Sequence, residues 1–321
     1  MGDIVTITLN PALDLTTSVG RIVPFQKLRC GPIRRDAGGG GINVARVLER
    51  WGANVLAILV AGGPTGELLK RLISAEGLPC SIIAVAADTR EDFTVQETES
   101  GRQFRFVEPG NALHDAEVSE CLARLQSLRP VPRFVVISGS LPPGSTPDIY
   151  ARLVRSIRTL GAKAVLDASG APLARALEAG VYLVKPNLRE LTELCGRELG
   201  HRSAQIAACR ELVGSGRAEI TVLSLAEKGA IAVSADGVWQ AAAPAIQPIS
   251  TVGAGDSCLA GALWRLTSGD SVAEALRYGV AAGSASLLAP GTSLCRPDDV
   301  ERLLGSICPE RVSEEPGHMH G

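Results

Sequence analysis

The sequence predicts an α/β fold: a mostly parallel sheet wound with flanking helices, carrying a small β-sheet lid. Three observations lead there. Apolar runs of strand length end in polar or glycine-containing turns that open into amphipathic helices, and this unit repeats along most of the chain. Two glycine-rich loops, Gly38–Asn43 and Thr251–Asp256, run directly into helical stripes. Residues 90–107 break the rhythm and read as a hairpin.

Taken in order, Ile4, Ile7 and Leu9 alternate with threonines as a strand that turns at Asn10-Pro11, with Asp14 on the following loop. Residues 15–36 are polar and read as irregular. The four glycines 38–41 lead through Ile42 and Asn43 into the stripe Val44, Val47, Leu48, Trp51, closed by Gly52. Asn43 is a neutral donor and acceptor, suited to sugar hydroxyls. A buried strand is expected over 54–60, then a helix around Leu69, Leu72 and Ile73 that ends at Gly77. Phe93, Val95 and Glu97 pair across Ser100-Gly101 with Gln103 to Val107. That flap carries Arg90 and Arg105, which together with Lys27 could clamp a phosphate already on the substrate.

Four further strands end in polar turns: Ser138-Gly139-Ser140, Asp167-Ala168-Ser169, Lys185-Pro186-Asn187 with Glu190 beyond, and Ala226-Glu227-Lys228-Gly229. Open α/β sheets bind ligands at such C-terminal strand ends. Thr146 with Pro147 is expected to cap the helix of Ile149, Leu153 and Ile157. Asp236-Gly237 marks a second hairpin, and Ser271 with Glu274 a capping box. No internal repeat or inter-domain linker is visible. The economical reading is one domain over 1–308, with lid segments at about 14–36 and 90–108, and a disordered tail over 309–321 whose His318 and His320 do not make a metal site.

Thr251-Val252-Gly253-Ala254-Gly255-Asp256-Ser257 is the stretch with the most chemistry in it. Leu259, Ala262, Leu263 and Leu266 follow at helical spacing, so its glycines sit at a helix N-terminus, where free amides and a positive dipole attract anionic oxygens. A carboxylate beside a phosphate site repels the phosphate. Asp256 therefore reads as a base that takes a proton from an attacking hydroxyl while the loop amides steady the transferring group. A glycine-rich turn capped by an aspartate accounts for these residues equally well when they are taken alone.

Composition removes several function classes. Net charge is −2 and aromatics are 3%, which leaves neither an electrostatic footprint for nucleic acid or membrane nor a base-stacking platform. No apolar run reaches the length of a membrane span, and the start Met1-Gly2-Asp3-Ile4-Val5 lacks a basic segment followed by an apolar core. The eight cysteines form no C-x-x-C pair, so a reducing, cytoplasmic setting is expected.

The chain resembles the PfkB-type sugar kinases of the ribokinase-like superfamily over about residues 4–305. Gly38–Asn43 and Thr251–Asp256 resemble the two family signatures, and Asn187-Leu188-Arg189-Glu190 its N-x-x-E motif. Lys27-Leu28-Arg29-Cys30, Arg105-Phe106-Val107, Ser138–Gly144 and Gly279–Ser284 place the resemblance nearest the ATP-dependent 6-phosphofructokinase branch. Gly40 stands where the 1-phosphofructokinase and tagatose-6-phosphate kinase branches usually carry lysine. The resemblance implies phosphorylation of the C1 hydroxyl of fructose 6-phosphate to fructose 1,6-bisphosphate. In those terms Asp256 is the base and Gly253, Ala254 and Gly255 form the anion hole. Asp14, Gly39 and Asn43 hold the sugar, and Ser138, Arg90, Arg105 and Lys27 hold its phosphate. ATP is lined by Lys185, Asn187, Ser224, Gly229, Val280 and Ser284. Asn187 and Glu190 organise Mg²⁺ through water. Ser250, Val252, Ser286, Ala289, Gly291 and Ser293 surround a monovalent cation, expected to be K⁺. A homodimer through the lid is also implied. Ala226 departs from the family, whose nucleotide loop usually has glycine there. The alternatives are a 1-phosphofructokinase or tagatose-6-phosphate kinase and, from another class, a non-catalytic sugar-phosphate-binding regulator. A dinucleotide oxidoreductase is disfavoured, because the first strand ends in Asn10-Pro11 rather than in a glycine fingerprint.

Overall fold

Strand β1 (Ile4–Thr8) is buried on both faces: Ile4 packs into one core, while Val5 and Ile7 pack into another. That is the pattern of a parallel strand covered by helices on either side. The chain continues through β2 (Ala12–Val19), β3 (Arg34–Gly38), α1 (Gly40–Arg50), β4 (Val55–Ala61), α2 (Gly63–Ala75) and β5 (Cys80–Ala84). Then come β6 (Arg90–Glu97), β7 (Gln103–Val107), α3 (Asp115–Ser127), β8 (Phe134–Ser138), α4 (Ile149–Thr159), β9 (Lys163–Asp167), α5 (Gly170–Glu178) and β10 (Val181–Val184). They are followed by α6 (Leu188–Cys195), α7 (Arg202–Gly214), β11 (Ala218–Ser224), β12 (Ala230–Ser234) and β13 (Gly237–Ala241). The last elements are α8 (Ala254–Thr267), α9 (Val272–Ser286), α10 (Pro297–Leu304) and β14 (Glu310–Arg311). This computed structural model describes residues 3–312.

The main sheet runs β14-β13-β12-β11-β10-β9-β8-β1-β4-β5. It is parallel from β11 to β5 and antiparallel from β11 to β14. After β1 the chain first builds outward through β4 and β5, then returns to the other side of β1 with β8. The strand order therefore reverses beside β1, and a crevice opens outside the carboxyl ends of β1 and β8. The apolar residues of α1, α2, α8, α9 and α10 fill one core, and those of α3 to α7 fill the other.

Residues 15–36 are not irregular throughout. Strands β2 and β3 belong to a second sheet ordered β3-β2-β6-β7, in which only β2 and β6 run parallel. Leu13 and Leu15 are buried while Thr16, Thr17 and Ser18 are half-buried, so the alternation is real but is carried largely by threonine and serine. Two capping expectations also change. Helix α4 begins at Ile149 with Asp148 in the cap position, and no side chain caps it. Ser271 Oγ does accept the Glu274 amide at 3.2 Å, but Glu274 turns to Arg277 instead of closing a box. Past Pro309, Glu310 and Arg311 pair with Gln240 and Trp239 on β13, so the expected disorder does not begin there. Residues 313–321, with His318 and His320, lie outside the described residues.

Helices α8 and α9 approach closely because small residues line their seam. A methyl group on Gly261 would lie 2.5 Å from the Tyr278 carbonyl, and one on Gly283 would lie 3.2 Å from the Ala254 carbonyl. Both neighbours are backbone and cannot swing aside, and the first is far the closer. Gly261→Ala is expected to cost about 1–3 kcal/mol by overpacking. Urea unfolding would report it as a lowered midpoint with an unchanged slope.

Candidate active site

The N-terminus of α8 lies beside the carboxyl ends of β9 and β10, where Lys185 reaches both Asp167 and Gly255. Gly253 enters it at φ 76°, a left-handed conformation that costs glycine little. Ala254, Gly255 and Asp256 then make up the first turn, where amides lack intrahelical partners. Asn43, from the first turn of α1, donates Nδ2 to Asp256 Oδ2 at 2.9 Å. The two glycine loops thus meet through their polar residues across 213 positions of sequence. Withdrawal from solvent, aided by the negative charge of Asp167, pushes the Asp256 carboxyl up to about 6, against the opposing pull of Asn43 and Lys185. Such a carboxylate is ionised at neutral pH yet basic enough to accept a proton.

Lys185 follows β10, and its ammonium lies 3.1 Å from Asp167 at the end of β9. A methyl on Gly255 would sit 3.3 Å from the Lys185 nitrogen, so this cation overhangs the amide loop. Burial works against its charge, but Asp167, Cys258 and Asp256 outweigh that and hold it above the ordinary lysine range.

On the lid side, Asp14 accepts a 2.7 Å hydrogen bond from the Thr292 hydroxyl. Burial raises its carboxyl to about 6, with Asp92 and Asp36 adding to the rise and Thr292 opposing it. Gly38 lies directly beneath it, since a methyl there would stand 2.3 Å from Asp14 Oδ1. Gly39 packs against Thr8 and Pro11. The Ser138 hydroxyl, at the carboxyl end of β8, is buried without a hydrogen-bond partner among the described residues, and a side chain on Gly40 would begin 2.3 Å from it. Lys27 and Arg105 are exposed. Arg105 is close enough to stabilise the charges of Asp14 and Asp92. Arg90 is already engaged, with Asp92 at 3.0 and 3.1 Å, the Glu108 carbonyl at 2.8 Å and the Asn10 carbonyl at 3.2 Å.

The residues expected on the nucleotide side come from the ends of β10 and β11, the turn into β12 and helix α9. Asn187 caps α6 in a reciprocal box: its Oδ1 accepts the Glu190 amide and Glu190 Oε2 accepts the Asn187 amide, both at 2.9 Å. The N-x-x-E spacing is thus first a helix start, and it leaves Glu190 one carboxylate oxygen to offer. Burial pushes the Glu190 carboxyl up. Ser224 bridges to Asn187, Gly229 packs against the Ala241 carbonyl, and Val280 and Ser284 are buried on α9. Ala226 takes φ 51°, the left-handed conformation that glycine adopts without strain.

Of the six residues expected around a cation, Ser250 and Val252 lie on the loop into α8, and Ser286, Ala289, Gly291 and Ser293 lie at and beyond the end of α9. The two segments touch: Ser250 Oγ donates to the Gly291 carbonyl at 3.2 Å, and the Ile249 amide donates to the Leu287 carbonyl at 2.7 Å. The Ser293 carbonyl already receives Arg50 Nη1 at 2.6 Å. Two residues that sequence reasoning missed stand out here. Thr292 belongs to no motif and is recruited only by tertiary contact. Asp167 was visible as a polar strand end, but its pairing with Lys185 was not.

The sequence profile of the pfkB family of carbohydrate kinases matches residues 8–299. The chain belongs to that family. It is 44% identical over 300 residues to the ATP-dependent 6-phosphofructokinase isozyme 2 of Mycobacterium tuberculosis, covering 94% of this chain and 88% of that one. Identity to the isozyme 2 of Escherichia coli is 40%, covering 94% and 97%. A 1-phosphofructokinase of Xanthomonas campestris is 37% identical over 80% of this chain and 82% of its own. Among solved structures, Escherichia coli phosphofructokinase-2 in complex with substrates and products superposes with a TM-score of 0.90 at 39% identity, covering 94% of this chain and 98% of that one.

The raised carboxyl of Asp256 has a consequence for stability. Its folded value near 6 exceeds the ordinary 3.8, so the folded protein binds this proton more readily than the unfolded chain does. Its contribution is most favourable below about pH 4 and is lost as pH rises through about 6. Asp256→Asn is therefore expected to melt at a higher temperature than the parent at pH 8, with the gain shrinking toward pH 4. A melting difference independent of pH would contradict this.

Proposed function

We propose that this chain is an ATP-dependent 6-phosphofructokinase that phosphorylates the C1 hydroxyl of fructose 6-phosphate. The observation that carries the reading is the Asp256 carboxylate, held by Asn43 in the first turn of α8 with a buried lysine overhanging the same turn. A binding protein needs sugar and phosphate contacts but has no use for a desolvated carboxylate beside an anion site. The relatives named for this activity add to the case.

In the proposed reaction Asp256 takes the proton of the C1 hydroxyl as its oxygen bonds to the γ-phosphorus of ATP. The bond from that phosphorus to the β–γ bridging oxygen breaks, and ADP leaves. The amides of Gly253, Ala254 and Gly255 face the non-bridging oxygens, where one such donor is typically worth on the order of a hundredfold in rate. Lys185 adds a fixed positive charge to the same space. Asp14, Gly39 and Asn43 hold sugar hydroxyls. Ser138, Lys27 and Arg105 meet the 6-phosphate, with Arg90 joining once its pairing with Asp92 opens. Ser224, Gly229, Val280 and Ser284 border the nucleotide.

The donor set fits Mg²⁺. Glu190 keeps one carboxylate oxygen clear of the helix cap, while Asn187 Oδ1 is already an acceptor in it, which suits an ion held through its water shell. Bound there, Mg²⁺ would neutralise charge on the ATP phosphates. The carbonyl-rich meeting of the Ser250–Val252 and Ser286–Ser293 loops suits a larger monovalent ion, and the Escherichia coli relative has been solved in complex with potassium. Exposed Phe25, Phe93 and Phe106 on the lid, the latter two paired in register, support a second copy docking there. Gly40 favours the 6-phosphate over the 1-phosphate reading, because it leaves the unpartnered Ser138 hydroxyl uncovered.

Offered Mg-ATP and K⁺ with fructose 6-phosphate, fructose 1-phosphate, tagatose 6-phosphate or plain fructose, the purified chain is expected to release ADP fastest with fructose 6-phosphate. Preference for either of the other phosphates would move the reading to another branch of the family, and no ADP from any would return it to a binding protein. Glu190→Gln can still close the helix cap, so it is expected to keep its melting temperature while needing more Mg²⁺ for half-maximal rate. An unchanged Mg²⁺ requirement would remove Glu190 from the metal assignment.

A further inference from the structure

Arg46 on α1 is 3% exposed, and its guanidinium lies at a junction of four segments. Its Nε and Nη2 grip both carboxylate oxygens of Glu76, just past α2, each at 2.7 Å. Its Nη1 points the other way, to the Ala37 carbonyl at 2.9 Å, the Thr292 carbonyl at 3.1 Å and Asn43 Oδ1 at 3.5 Å. Each of the last two residues holds a carboxylate of the site. Asn43 Nδ2 donates to Asp256, and the Thr292 hydroxyl donates to Asp14.

We propose that Arg46, fixed by the Glu76 fork, is the positioning residue that sets the amide of Asn43 against Asp256 and the hydroxyl of Thr292 against Asp14. An asparagine amide can flip at little cost unless both ends are specified. With a guanidinium on its carbonyl side, Asn43 turns its NH₂ toward Asp256 and stabilises the ionised carboxylate. On the Thr292 side, Arg46 anchors the main chain whose side chain steadies Asp14. Lysine cannot replace it, because a single ammonium has no planar fork to hold Glu76 on one edge and three oxygens beyond the other. The inference rests on the reading of Asp256 as the base.

A plain structural ion pair would lower the melting temperature on mutation and leave the chemistry of Asp256 alone. The positioning role moves the titration of that base. Asp167, Lys185, Asp14 and Asn43 are the groups that bear on Asp256, and of these Asn43 and Asp14 are the two reached from Arg46. The test is the pH dependence of kcat for the full-length enzyme carrying Arg46→Lys or Glu76→Gln, beside Asp256→Asn. Glu76 is partly exposed, so Glu76→Gln keeps the test open should Arg46→Lys fail to fold. Expected for both variants is a fall in kcat of about tenfold or more. The acidic limb should move upward by roughly half a pH unit or more, because the ionised form loses a hydrogen bond. KM for fructose 6-phosphate should rise and KM for ATP should hold. Loss of turnover in Asp256→Asn with an unmoved acidic limb in both other variants overturns the positioning role alone. Near-normal turnover in Asp256→Asn overturns the base assignment, and this inference with it.

Discussion

The hydrogen bond between Asn43 and Asp256 is the constraint on which the site depends. It ties the first turn of α1 to the first turn of α8, and so brings two glycine loops from opposite ends of the chain to one spot beside the β1–β8 crevice. Burying a carboxylate is costly unless something compensates. Here the compensation is local and polar: an amide donor from Asn43, the positive end of α8, and the Lys185 ammonium. It is incomplete, and the incompleteness is useful. A fully paired carboxylate would be too weak a base, and an uncompensated one would stay protonated at neutral pH.

That contact can form only if α8 starts where it does, and the packing of α8 on α9 sets its start. Gly261, Gly279 and Gly283 let the two backbones approach until carbonyls of one helix nearly touch the Cα atoms of the other. The same helices carry Asp256 at one end and Val280 and Ser284 alongside, and the loop leaving α9 returns Thr292 to Asp14. Small-residue packing on α8 and α9, the first turn of α8 and the Thr292–Asp14 contact are thus one mechanical unit.

Much of this was legible in the sequence, for identifiable reasons. The wound parallel sheet, the flap hairpin and both glycine loops announced themselves because each is a local pattern: period, turn residue, helix start. The polar residues at the strand ends pointed to the edge of the sheet where open α/β folds bind ligands, whereas the strand order came only with the structure. Residues whose roles come from distant contacts stayed hidden. Thr292 has no neighbours in sequence that mark it, the pairing of Lys185 with Asp167 joins two separate strand ends, and Arg46 reads as one more polar residue on a helix. Strands β2 and β3 were hidden differently. The half-buried positions of β2 are aspartate, threonine and serine, and β3 opens on two exposed arginines, so neither strand shows a plain apolar alternation.

The lid sheet carries an arrangement that only the register discloses. Asp36, Asp14 and Asp92 stand directly opposite one another across β3, β2 and β6. Like charges so placed repel, and a sheet built for stability alone would not keep them. The outer two are neutralised within their own strands, Asp36 by Arg34 at 2.8 Å and Asp92 by Arg90 at 3.0 Å. The middle one accepts the hydroxyl of Thr292 and feels the charge of Arg105, yet burial and its two neighbours still raise its carboxyl to about 6. Strand β2 itself supplies no cation to Asp14, since Ala12–Val19 contains no lysine or arginine. The repulsion across the row is the cost of keeping, at the middle of the lid sheet, a carboxyl more basic than an isolated one.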